Sequence, residues 1–197
     1  MESDLQQWLD EAIQGNEESY CRLVEHYQTG VFNLCYRMLG NRMEAEDAAQ
    51  EVFWRAYKAL HRYDPERSFQ TWLLSIASHF CIDQQRKRRL NLVEIDTPFE
   101  ETYHGNSPTP ESVYTQNEKA SQIENLVNEL KPTDRATLVL RYYHQMSEKE
   151  IAETLSLSVS AVKSRLFRAR KELAQLMTEQ REEIELHERE IYEPSNV

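Results

Sequence analysis

The residues best equipped for chemistry in this chain are two clusters of cations, Arg86-Lys87-Arg88-Arg89 and the run from Lys163 to Lys171. Arginine bonds bidentately to guanine edges, while lysine and serine supply contacts to phosphate oxygens. A solvated helix face accounts for either cluster by itself. Two clusters, each at an informative place on a helix, point to nucleic acid. The net charge of −11 opposes that reading until its distribution is considered. Residues 1–30 hold seven acids against Arg22 alone, and residues 90–118 hold six acids and no Lys or Arg. The bases are therefore concentrated.

Other chemistries find less support. Glu44, Asp47 and Glu51 stand at i, i+3 and i+7, a spacing able to chelate a metal in a helical bundle. Two Glu-x-x-His motifs usually complete such a centre, and the sequence holds only one, Glu101 to His104. The sequence has no glycine-rich phosphate loop, no nucleophile elbow and no Cys/His metal spacing, so neither an enzyme nor a cofactor is expected. Cys21, Cys35 and Cys81 are odd in number and widely spaced, as free thiols of a reducing cytoplasm would be. His26, His61, His104, His144 and His187 are scattered singles. The acidic start, MESDLQQWLDEA, is no signal peptide, and no apolar run approaches the roughly 18–20 residues needed to cross a bilayer.

Positioning these residues requires helices. Four glycines, six prolines and mostly helix-favouring residues predict an all-α protein: two small helical domains joined by a flexible acidic linker. The first domain spans 1–89, the linker 90–118, the second domain 119–177, and an acidic extension 178–197. The linker holds three of the six prolines and a Gly-Asn-Ser-Pro turn signal. Before it, helical periodicity covers 19–39 and 44–60, with Gly40-Asn41 between them. It returns in Phe69, Trp72, Leu73, Ile76, Ala77 and Phe80, a stripe that runs straight into Arg86–Arg89. Trp72 and Phe80 are expected in the core. After the linker, one helix ends near Pro132 and another runs from about Thr133 to His144.

Residues 147–176 give the most specific local signal. Ser147-Glu148-Lys149-Glu150 fits a capping box opening a short helix that buries Ile151, Ala152 and Leu155. Ser156-Leu157-Ser158 makes a turn, without the glycine common in such motifs. A second helix starts near Val159 or Ser160 and buries Val162, Leu166, Ala169 and Leu173. Its other face presents Lys163, Ser164, Arg165, Arg168 and Lys171. This is the layout of a helix-turn-helix, whose second helix enters the major groove.

Three stretches, YRMLGNRMEAEDAAQEVFWRAYKAL (36–60), FQTWLLSIASHFCIDQQRKRR (69–89) and LVLRYYHQMSEKEIAETLSLSVSAVKSRLFRARKEL (138–173), resemble the extracytoplasmic-function (ECF, group 4) sigma factors of the sigma-70 family. They occur in that family's order. The resemblance implies a transcription initiation factor of the cytoplasm that binds core RNA polymerase and promoter DNA, contacts the β′ clamp helices and the β flap, and is sequestered by an anti-sigma factor. Glu46, Asp47, Gln50, Glu51 and Phe53 then match the polymerase-docking surface. Ser68, Phe69, His79, Asp83, Arg86 and Arg88 are the candidates for the minus-ten element, where a flipped base needs polar edges and an apolar wall and the strand needs cations.

Lys163, Ser164, Arg165, Phe167 and Arg168 match the minus-thirty-five reader. Ser75 and His79 depart from the family's pattern, which commonly has arginine and asparagine there, a difference that bears on the preferred base. The acidic linker is able to mimic nucleic acid in polymerase channels, though a plain tether explains its composition almost as well. The extension is either a solvated helix or a segment folded back on the basic recognition helix. A stand-alone helix-turn-helix regulator is the rival function, but it leaves 36–89 without a task.

Overall fold

The computed structural model describes residues 2–94 and 125–192, with side chains over 4–90 and 125–180. Every regular element among them is helical. The N-terminal domain comprises α1 (Glu2–Ile13), α2 (Glu17–Leu39), α3 (Arg42–Ala59), a 3-10 turn (Leu60–Arg62) and α4 (Phe69–Glu94). A helical run at 125–129 leads into the C-terminal domain of α5 (Pro132–Tyr142), α6 (Glu148–Leu155) and α7 (Val159–Tyr192). The acidic stretch expected as a linker from residue 90 is helical through Glu94, and the rest of it lies outside the described residues.

Helix ends follow from local chemistry. The Asn16 side chain accepts from the Ser19 amide to start α2, with Glu17 and Glu18 in the positive first turn. Gly40 closes α2 in the left-handed region at φ +73°, and Asn41 at once caps α3 by accepting from the Glu44 amide. Glycine suits position 40: its φ strains other residues, and an added Cβ would meet the Asn128 side chain at 3.1 Å. Between α2 and α3 the small residues Ala45, Ala48, Ala49 and Ala56 allow close approach, and the Tyr20 hydroxyl donates to the Phe53 carbonyl at 2.6 Å. The N-terminal helix α1 was not foreseen. It buries Leu9 and Ala12, and Glu11 accepts a hydrogen bond from the Ser19 hydroxyl.

Helix α4 departs from the single apolar stripe that its sequence suggests. Phe69, Leu73 and Ala77 are buried, but so are Leu74, Cys81 and Ile82, while Trp72, Ile76 and Phe80 are half-buried. The cause is tertiary. Helices α2 and α3 pack on one side of α4, and α5 and α6 pack on another. One continuous apolar cluster therefore runs from Leu9 through Leu73 to Ile151 and Leu166. Each fully buried Leu or Ile in it contributes about 1.5–3 kcal/mol. Cys35 and Cys81 are free thiols buried together, and their mutual hydrogen bond and burial push the Cys81 thiol far above its ordinary value.

Helix α7 is continuous through Tyr192. A single helix does not return on its own first turns, so the fold-back of the acidic extension onto the recognition helix is overturned for the described residues. The helical extension remains.

Candidate nucleic-acid interface

The helix-turn-helix is built from local bonds. The Glu150 amide donates to the Ser147 hydroxyl at 3.2 Å, and the Ser147 amide donates to Glu150 Oε2 at 2.7 Å. Hydrogen bonding from the Ser147 side chain, and then from its backbone amide, holds the Glu150 carboxyl below the usual carboxylate range. At the turn, Ser156 takes the left-handed conformation at φ +54° that glycine occupies in many such motifs. The Ser158 hydroxyl then accepts from the Ala161 amide at the start of α7.

Val162, Leu166 and Ala169 are buried, with Leu173 partly so, and the opposite face of α7 is open. On that face the Lys163 ammonium lies 3.6 Å from Glu148, and the Ser164 hydroxyl donates to the Ser160 carbonyl at 3.0 Å. Phe167 is 66% exposed, which leaves its ring free to meet a sugar or a thymine methyl. Arg165 is different. Its Nη1 donates to Asp134 Oδ1 at 2.6 Å, so this predicted DNA contact is bound by its own protein. Arg168 Nη2 stands 3.7 Å from the same oxygen.

The other candidate strip lies along α4 and the loop before it. The Asp64 carboxylate accepts from the Glu66 amide at 3.1 Å, and the Tyr63 hydroxyl donates to the Arg67 carbonyl. Ser68 is exposed. Phe69 is only 8% exposed and packs among Tyr27, Tyr63 and Trp72 at centroid distances of 5.2–5.6 Å within this cluster. The structure thus places Phe69 in the core, beneath the surface that Ser68 opens.

His79, Asp83 and Arg86 follow at i, i+4 and i+7 and share one exposed face of α4. His79 Nδ1 bonds the Ser75 carbonyl at 2.8 Å, leaving Nε2 as its remaining polar atom. Arg86 is 3.8 Å from Asp83. Arg88 pairs with Glu44, and Arg89 donates to the Leu130 carbonyl at 3.3 Å, so all three arginines of the cluster meet partners within the chain.

A third surface borders a groove of about 760 Å³ between α2 and α3. Its walls include Val24, Phe32, Phe53, Trp54 and Tyr57, and Glu46 and Gln50 line it as well. Of the acids on α3, Glu46 bonds Arg42 at 2.9 Å and Glu51 bonds Arg55 at 2.7 Å, while Asp47 is exposed. Trp54 is 53% exposed, with the Lys58 ammonium 4.4 Å from its ring centre. Sequence reading passed over Trp54. Its signal was an aromatic off the stripe of Val52 and Ala56. Among the described residues no three or more His, Cys, Asp or Glu side chains gather closely enough to hold a metal, and Glu44 and Glu51 are engaged by arginines. No described helix is long and apolar enough to cross a membrane.

Comparison with known proteins converges on one family. The sigma-70 region 2 profile matches residues 23–90, and the sigma-70 region 4 profile matches residues 120–173. The ECF RNA polymerase sigma factor SigW of Bacillus subtilis is 33% identical over 180 residues, which cover 88% of this chain and 96% of that protein. The RNA polymerase sigma-H factor of Pseudomonas aeruginosa is 30% identical over 172 residues, 84% of this chain and 89% of the relative. Among solved structures, CnrH in complex with the cytosolic domain of CnrY shares the fold at a TM-score of 0.66 and 24% identity, over 89% of this chain and 97% of that one. RpoE of Bartonella quintana, in complex with the anti-sigma factor NepR, gives 0.65 at 19% identity, over 82% and 98%.

Proposed function

The chain belongs to the extracytoplasmic-function sigma factors of the sigma-70 family, and from that membership we propose which of its surfaces does what. As a sigma factor it binds core RNA polymerase and directs transcription from particular promoters. Polymerase docks on α3. Glu46, Asp47, Gln50 and Glu51 form the polar edge, and the apolar groove beside Phe53 receives the partner's hydrophobic side chains. Asp47 carries the greatest electrostatic share there, because Glu46 and Glu51 already hold arginines of their own helix.

The strip of Ser68, His79, Asp83 and Arg86, extended by Arg88, follows the melted strand of the minus-ten element. Phe69 supports that strip from below. The first half of α7 reads the minus-thirty-five duplex with Lys163, Ser164, Phe167 and Arg168, and the β flap holds this domain in place. Bond-making chemistry stays with polymerase, in the cytoplasm. An anti-sigma partner is supported by the two solved relatives, one of which was captured with a protein so described.

The observation that carries this reading is the open apolar groove between α2 and α3 on the same chain as a helix-turn-helix. Such a groove fits a protein partner, which binding to duplex DNA alone does not require. The test is run-off transcription with core bacterial polymerase on a pool of promoter fragments. Promoter-specific transcripts should appear with the wild type and vanish for Asp47→Ala/Gln50→Ala. Unchanged transcription from that variant removes the docking assignment.

A further inference from the structure

Asp134 lies in the first turn of α5, is only 3% exposed, and faces two arginines of α7. Its Oδ1 accepts from Arg165 Nη1 at 2.6 Å, the length of a strong charge-assisted bond. The Arg165 side chain is itself 27% exposed, and its Nε is buried without a hydrogen-bond partner. That guanidinium is therefore committed to the protein. Arg168, one turn later, has a 59% exposed side chain and stands 3.7 Å from the same oxygen, beyond hydrogen-bond range. One carboxylate thus holds Arg165 by a hydrogen bond and confines the direction of Arg168 by an ion pair.

A free arginine on a DNA-facing helix binds any phosphate within reach, which adds affinity without discrimination. Bidentate reading of a base edge requires a guanidinium whose direction is fixed. We propose that Asp134 is a positioning residue for duplex reading: it withdraws Arg165 from the DNA and orients Arg168, lowering general affinity for duplex in favour of base selectivity. This rests on the assignment of α7 to the minus-thirty-five element. Arg165, predicted as a contact, becomes a strut.

The two partners of the pair make opposite predictions. Asp134→Asn frees both guanidiniums, whereas Arg165→Gln leaves Asp134 to capture Arg168. Binding of the full-length chain to duplex DNA is followed by fluorescence anisotropy across a salt series. The slope of log K against log[salt] should steepen by about 0.9 for Asp134→Asn and flatten by about 0.9 for Arg165→Gln, since each phosphate contact contributes about that much. With core polymerase, on promoters randomised in the minus-thirty-five element, both variants should lose about tenfold in selectivity, the scale of one bidentate contact.

If Asp134 only braces the fold, both variants weaken binding in the same direction with selectivity kept, and the proposal is overturned. Slopes that do not move overturn it as well. Arg165→Gln changes a partly exposed side chain, so it carries the test even if Asp134→Asn melts. Wild-type holoenzyme that shows no minus-thirty-five preference sinks the α7 assignment itself, a result distinct from selective wild type with inert variants.

Discussion

The Arg135 guanidinium of α5 donates to the main-chain carbonyl of Met38, in the last turn of α2. Carbonyls in that turn have no partner within their own helix. Gln85 of α4 donates to the same oxygen, and Arg135 Nε also bonds the Val127 carbonyl at 2.8 Å. The end of an N-terminal-domain helix is thus capped by the C-terminal domain. Burial, reinforced by the nearby Arg89, pushes the Arg135 pKa down to about 10, which still leaves it charged at neutral pH.

Arg135→Met should therefore destabilise the chain by about 3 kcal/mol, because the Val127 carbonyl loses its charged donor and the Met38 carbonyl keeps only Gln85. A urea titration reads this as a lower midpoint. A midpoint within error of the wild type would show that water replaces the guanidinium at no cost.

His144 gives stability a pH dependence. Burial first, and the charge of Arg37 second, hold its pKa below the ordinary histidine value. Between that depressed value and about 6.5, the unfolded chain binds more protons at this site than the folded one does, so stability falls as pH falls through the interval. Melting temperature should drop from pH 7.5 to 5.5 in the wild type, and less in His144→Phe, which does not titrate. Equal drops in both proteins would assign the pH effect elsewhere.

His79→Asn should alter base preference at one position of the minus-ten element by about tenfold, the scale of a changed hydrogen-bond pattern to a base edge. The melting temperature should not change, because His79 is exposed and its bond is to its own helix. Run-off transcription on a randomised minus-ten library, with a thermal melt alongside, separates the two effects. Identical preferences for both proteins would remove His79 from the base pocket.

Deleting residues 178–197 should leave duplex affinity unchanged at physiological salt. Helix α7 carries those acids away along its axis. At 1.5 Å per residue, Glu179, the first of them, lies about 17 Å beyond Arg168, two screening lengths of about 8 Å. A clear gain in affinity on deletion would mean that the extension bends back in solution.

What could be read from the chain was local. The helix-turn-helix emerged because a capping box, a short turn and a buried period of Val162, Leu166 and Ala169 are all encoded within a few residues of where they act. The Gly40-Asn41 break was legible for the same reason. Helix α1 was overlooked because its acids obscured the spacing of Leu5, Trp8, Leu9 and Ala12.

Relationships across distance were decided elsewhere. Phe69 had the type and place of a DNA-facing ring, yet Tyr27, 42 positions earlier, and Tyr63 enclose it. Arg165 had the face and charge of a DNA contact until Asp134, 31 residues before it, took its guanidinium. The sequence by itself determined the helices, their caps and the location of the bases, because propensity, periodicity and capping act over one to three turns of chain. Tertiary structure alone decided which of those side chains remain free to bind. Burial and ion pairing depend on what another helix brings within a few ångströms, and no local pattern records that.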